Sequence, residues 1–123
     1  MKRILIVDDA ATVRMYHRGI LESAGYAVEE AVNGLEALEK ALLTPFDLYL
    51  VDVNMPKLDG YGFLCQLRLQ PLEQVPVIMV STEATEQDRL RAFASGANFY
   101  LIKPTRPDQL LAPIHLFLKG GRP

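Results

Sequence analysis

The chain has 123 residues, half of them hydrophobic, and a net charge of −2. Those values describe one domain with a single sizeable core, and they exclude a disordered chain. The charge balance gives no general reason to bind nucleic acid or an anionic membrane, no apolar run reaches a spanning length, and the lone Cys65 excludes an internal disulfide or a cysteine metal site.

Met1-Lys2-Arg3 runs straight into the apolar run Ile4–Val7. That leaves no room for a signal peptide, so a cytoplasmic location is the expectation. The first strand, 3–7, ends on Asp8-Asp9. A helix over 11–24 presents Val13, Tyr16, Ile20, Leu21 and Ala24 inward, with Gly25 as its C-cap. Arg14, His17 and Arg18 then fall on a solvated face. Residues 27–31 read as an edge strand because Glu29 and Glu30 interrupt a short run. Asn33-Gly34-Leu35-Glu36 reads as a capping box for a helix to about Leu43, stopped by Pro45.

The run Leu48–Val51 makes a third strand, 48–52, ending on Asp52. Helix 60–69 follows and should leave Cys65 packed or half-buried. A fourth strand, 76–80, leads into Ser81-Thr82, and helix 86–95 ends at Gly96. A fifth strand, 99–102, runs into Lys103-Pro104. The fifth helix should start after Thr105 with Asp108 completing its cap. Pro113 lies past its first turn, at a cost of about 3 kcal/mol in an ordinary helix, so a kink or a later regular start is expected. Gly120–Pro123 should fray. Strands alternating with helices throughout point to a parallel sheet with helices on both faces.

A carboxylate just past a buried parallel strand sits where open α/β sheets bind ligands. Two such ends bring Asp8, Asp9 and Asp52 to one mouth. At about 4 Å and an effective dielectric near 20, each ionised pair would repel by about 4 kcal/mol. Capping of the next helix would explain one aspartate, not three. Hard oxygen donors in a small cluster suit Mg²⁺. Lys103 brings an ammonium to the same mouth, and Ser81-Thr82 a hydroxyl with backbone N–H groups. In isolation Ser81-Thr82 reads first as a Ser/Thr turn, and Lys103-Pro104 as a lysine in a plain turn. Three carboxylates, one Mg²⁺ and one lysine sum to about zero charge, and an acyl phosphate on one carboxylate adds about one negative charge that the cations can stabilise.

On these residues, together with Asn54-Met55-Pro56 and Asp59-Gly60, the chain resembles the receiver domain of response regulators, most of all the single-domain CheY type. The resemblance covers essentially all of residues 1–123. It implies a doubly wound (βα)5, flavodoxin-like fold with strand order 2-1-3-4-5. It also implies Asp52 as phosphoacceptor and Asp9 as direct Mg²⁺ ligand, with Asp8 acting largely through metal-bound water and the Asn54 carbonyl completing the shell. Ser81 and Lys103 would hold the phosphoryl group, Thr82 flanks them, and the Lys103-Pro104 bond would be cis. Asn54 and Glu83 would tune phosphate lifetime, and Tyr100 would be the aromatic switch, its coupling loosened because Ser81 replaces the commoner threonine. The output face would include Arg89, Arg91, Phe93, Tyr100, Arg106 and the segment around Pro113.

The function so implied is a two-component phosphorylation switch, without turnover of other substrates. A sensor histidine kinase or histidine phosphotransfer protein would charge it, and a separate protein such as the flagellar motor switch would read it, as in chemotaxis. A phosphorelay shuttle is the alternative. The expectation is a receiver domain without an output domain after Lys119, and a monomer, with phosphorylation-driven dimerisation as the other outcome. A phosphatase with an aspartate nucleophile lacks a second aspartate after Asp52-Val53, and an FMN protein would not place Asp-Asp after its first strand.

Overall fold

The computed structural model describes residues 1–119, so the expected fraying of Gly120–Pro123 lies outside the described residues. Strands β1 (Arg3–Val7), β2 (Ala27–Ala31), β3 (Leu48–Asp52), β4 (Val77–Ser81) and β5 (Phe99–Ile102) alternate with helices α1 (Ala11–Ser23), α2 (Gly34–Leu43), α3 (Gly60–Leu69), α4 (Glu86–Ala94) and α5 (Pro107–Lys119). All strand pairs are parallel, in the order β2-β1-β3-β4-β5. The expected edge strand β2 does pair only with β1.

Period-two alternation along the strands divides the core in two. Ile4 and Ile6 of β1 join Leu48 and Leu50 of β3 against Leu21 of α1 and Leu110, Ile114 and Leu118 of α5. Leu5 and Val7 point the other way, with Tyr49 and Val51, against α2, α3 and Ala92 of α4. Both faces are covered, which is why the central strands read as unbroken apolar runs.

The structure corrects several expectations. His17, not Tyr16, faces the core: His17 is 2% exposed and Tyr16 46%. The inward stripe of α1 runs through residues 17 and 21, one helical turn apart, and leaves position 16 outside. Arg14 and Arg18 are not simply solvated, since both reach Glu30 at 2.7 Å. Cys65 is exposed, because Phe63, Leu64 and Leu67 take the inward face of α3. At α2, Asn33 does accept from the Glu36 N–H, but Glu36 returns its bond to Val32 and not to the cap residue. The reciprocal capping box occurs instead at α4, between Thr85 and Asp88.

α5 starts at Pro107 and carries Pro113 inside it, so a later regular start does not occur. Pro113 cannot donate to the carbonyl of Gln109, and Gln109 is exposed, where water can accept that role. At the start of α5 the Arg106 N–H donates to the side chain of Gln109, while Asp108 pairs with the Arg106 guanidinium. The fourth strand is one residue later than expected, which makes Ser81 its last residue.

Candidate functional site

Four strand ends converge at one edge of the sheet. Asp8 follows β1, with its N–H donated to the Ala31 carbonyl. Asp52 ends β3 opposite Val80, and Ser81 ends β4 opposite Ile102. Lys103 follows β5, its N–H donating to the Ser81 carbonyl at 2.8 Å, so the ladder continues into the site. The Lys103–Pro104 peptide bond is cis, as the resemblance implied.

Carboxylate oxygens of Asp8, Asp9 and Asp52 lie within 4.8 Å of one another. Asp8 and Asp52 are buried and Asp9 is exposed, so the cluster opens to solvent on the Asp9 side. Lys103 bridges the two buried members, with Nζ 2.9 Å from Asp8 Oδ2 and 2.8 Å from Asp52 Oδ1. Asp8 Oδ1 accepts the Ala10 N–H at 2.9 Å, so each oxygen of Asp8 already carries a bond. Ala10, not either aspartate, is the N-cap of α1, and the capping explanation of the pair therefore fails.

The electrostatics follow from burial and charge. Burial raises the Asp52 carboxyl above its usual range; the bond from Lys103 offsets part of this, and the Asp8 charge adds to the rise. Burial pulls the Lys103 ammonium down, but its bonds to Asp52 and Asp8 outweigh that, so it is raised and firmly charged. One ammonium for three clustered carboxylates leaves an anionic, all-oxygen donor set. Such a set fits a hard divalent cation, and Mg²⁺ most naturally, because that ion takes one or two carboxylates and keeps its waters.

The loop after β3 is fitted tightly to the site. A Cβ at Gly60 would lie 2.3 Å from the Asp52 carbonyl oxygen, and one at Gly34 would lie 2.4 Å from that of Leu58. Only glycine lets α3 begin directly behind Asp52 and lets α2 pin the far end of the loop, where Gly34 N–H donates to Leu58. Asn54 lies exposed in this loop, two residues past Asp52.

Ser81 is fully buried, and its Oγ accepts the Glu83 N–H at 3.0 Å. This is the Ser/Thr turn of the alternative reading, at the mouth that the functional reading requires. Thr82 and Glu83 are exposed beside it. Tyr100 is buried, and its hydroxyl donates to the Glu83 carbonyl at 2.8 Å, with Arg89 stacked 5.8 Å from the ring centre. Sequence reasoning missed His17 and Thr105, both buried beside Lys103 and 3.2 Å apart (His17 Nε2 to Thr105 Oγ1). Val13, His17 and Leu21 recur at four-residue spacing, but so do Tyr16, Ile20 and Ala24, so the period alone favours neither stripe.

The response regulator receiver domain matches residues 4–115. The chain belongs to that family. This receiver domain is 36% identical over 117 residues to the transcriptional regulatory protein ResD of Bacillus subtilis, spanning 95% of the chain and 48% of ResD. It is 38% identical over 111 residues to the gliding motility regulatory protein of Myxococcus xanthus, at 89% of the chain and 14% of that protein. It thus spans half or less of these curated relatives. Among solved structures, the chemotaxis protein CheY4 of Vibrio cholerae superposes with a TM-score of 0.90 at 37% identity, over 96% of this chain and 99% of that one. The receiver domain of a sensor histidine kinase from Pseudomonas aeruginosa, with magnesium coordinated in its active-site cleft, gives 0.89 at 30% identity, over 95% and 97%. The chain is therefore the receiver domain of a two-component response regulator, and no helix among its described residues is long and apolar enough to cross a membrane.

Proposed function

We propose that Asp52 is the phosphoacceptor of this receiver domain and that the acyl phosphate formed there switches binding of a separate protein. The carrying observation is Lys103 bridged between Asp8 and Asp52 within a three-carboxylate cluster. A carboxylate oxygen of Asp52 attacks phosphorus in phosphohistidine, the P–N bond breaks, and the phosphoryl group passes to aspartate. Hydrolysis returns the carboxylate and releases inorganic phosphate. Lys103 follows the developing charge, and Asn54 and Glu83, exposed at the rim, tune access of the hydrolytic water. Mg²⁺ held by Asp8, Asp9, Asp52 and the Asn54 carbonyl would neutralise charge on the phosphoryl oxygens. The domain acts as a switch and turns over no other substrate.

The route from site to surface is short. Ser81 Oγ binds the N–H of Glu83, and Tyr100 binds its carbonyl, so one residue joins hydroxyl and ring. If Ser81 turns to the phosphoryl group, that N–H loses its acceptor and the bond to Tyr100 is disturbed. Arg89, Arg91, Phe93 and Arg106 are exposed around this face, and Arg89, Tyr100 and Pro113 line a groove between α4 and α5. That face is the one we assign to the target protein. The likeness to CheY4 supports a chemotaxis-type readout such as the motor switch. The likeness to a receiver that resides in a histidine kinase supports a second reading, a shuttle to a histidine phosphotransfer protein.

The test is intact mass and peptide mapping after incubation with acetyl phosphate and Mg²⁺. One phosphoryl adduct on Asp52, lost in Asp52→Asn, supports the proposal; an adduct at another residue, or none, overturns it. Rapid loss of that phosphate to a histidine phosphotransfer protein would select the shuttle.

A further inference from the structure

Adjacent side chains of α1 grip both polar ends of Thr105. The Tyr16 hydroxyl donates to the Thr105 carbonyl at 2.7 Å, and His17 Nε2 lies 3.2 Å from Thr105 Oγ1. Thr105 stands two residues after Lys103, whose own N–H is fixed to Ser81. The backbone that carries the ammonium is therefore anchored on both sides, by β4 before it and by α1 after it. Beside the grip the loop borders an open cleft lined by Thr12, Val13, Tyr16, Thr82, Lys103 and Pro104.

His17 is a costly residue for the place it fills. It is almost fully buried on the inward stripe of α1, and among the described residues its Nδ1 is buried without a hydrogen-bond partner. An aliphatic side chain would pack there without an orphaned polar atom. An orphaned acceptor is less costly than an orphaned N–H donor, which assigns the proton to Nε2 and makes His17 the donor to Thr105. Burial lowers the affinity of the ring for a second proton, and Lys103 lowers it further against the opposing pull of Asp8.

We infer that His17 is a positioning residue for the phosphoryl-transfer centre, a neutral donor that ties Thr105 to α1 and so holds the Lys103 ammonium between Asp8 and Asp52. This rests on the assignment of Asp52 as phosphoacceptor only for its kinetic consequence; the tie to Lys103 stands on geometry. His17→Leu removes the donor while remaining apolar, Thr105→Val removes the hydroxyl without changing shape, and His17→Gln keeps an N–H near the position of Nε2.

Two readouts on the whole chain test it: the ¹⁵N signal of the Lys103 ammonium, and the rate of phosphoryl acceptance from acetyl phosphate with Mg²⁺. Thr105→Val preserves the core and carries the test by itself should His17→Leu fail to fold. We expect His17→Leu and Thr105→Val each to shift or lose the ammonium signal and to slow acceptance about tenfold, with no further loss on combination and with His17→Gln within about twofold of the parent. An unchanged ammonium signal in folded Thr105→Val overturns the inference, as does a folded His17→Gln that behaves like His17→Leu. Should the parent accept no phosphoryl group, the assignment of Asp52 fails, and the ammonium signal alone decides the role of His17.

Discussion

Asp52 is held in a position that its charge resists. Its folded-state carboxyl is raised, chiefly by burial, so the stability it contributes is complete below the unfolded value of 3.8 and is lost as pH rises through the folded value. At neutral pH without Mg²⁺ the ionised group is thus a net cost. Asp52→Asn should melt higher than the parent in a metal-free scan at pH 7 and should lose that advantage when Mg²⁺ is added. His17 has the opposite sign. Burial lowers it from 6.5, so the unfolded chain binds the extra proton first, and stability present above pH 6.5 is lost as pH falls below it. Denaturant unfolding of His17→Gln should show a shallower decline between neutral pH and pH 5 than the parent. An identical decline would mean that the buried ring does not control this limb.

Elements set how accurately those residues are placed. Asp59 caps α3 by accepting the Gly62 N–H at 2.8 Å, and Asp59→Ala should cost about 1 kcal/mol in chemical denaturation. Gly60→Ala should cost more and should impair Mg²⁺ binding as well, because its methyl would displace the carbonyl of Asp52 itself. Pro113→Ala restores a donor for the Gln109 carbonyl and should stabilise α5 by about 1–3 kcal/mol, while altering the groove beside Tyr100. Strand ends and their acidic residues were legible in the sequence because a buried parallel strand is a continuous apolar run that stops abruptly. The rotation of α1 was not legible, since Tyr16 and His17 both tolerate partial burial and only tertiary contact with Thr105 decides between them. The cap of α5 was misread for a similar reason: Asp108 and Gln109 are both competent acceptors, and backbone geometry chose the longer side chain. Cys65 came out exposed because three neighbouring apolar residues already filled the inward face of α3.

At the scale of the molecule, the sheet gathers charge at one edge and isolates it from two apolar cores. Order β2-β1-β3-β4-β5 places the acidic ends of β1 and β3 side by side, with Ser81 and Lys103 following along the same edge. A cation that binds only this folded arrangement stabilises it, by about 1.4 kcal/mol at ten times its Kd. Asp9→Ala should reduce that gain, read as a smaller Mg²⁺-dependent rise in Tm. The same edge lies within one residue, Glu83, of the face that carries Tyr100, so a change in charge at Asp52 need travel little to be read outside.

Whether this edge is a Mg²⁺-dependent acyl-phosphate site is tested most directly by calorimetric titration with beryllofluoride, a mimic of the phosphoryl group on aspartate. One site per chain is expected, appearing only with Mg²⁺ and vanishing in Asp52→Asn. Binding that is indifferent to Mg²⁺ or survives that substitution, or no binding at saturating Mg²⁺, would contradict the assignment.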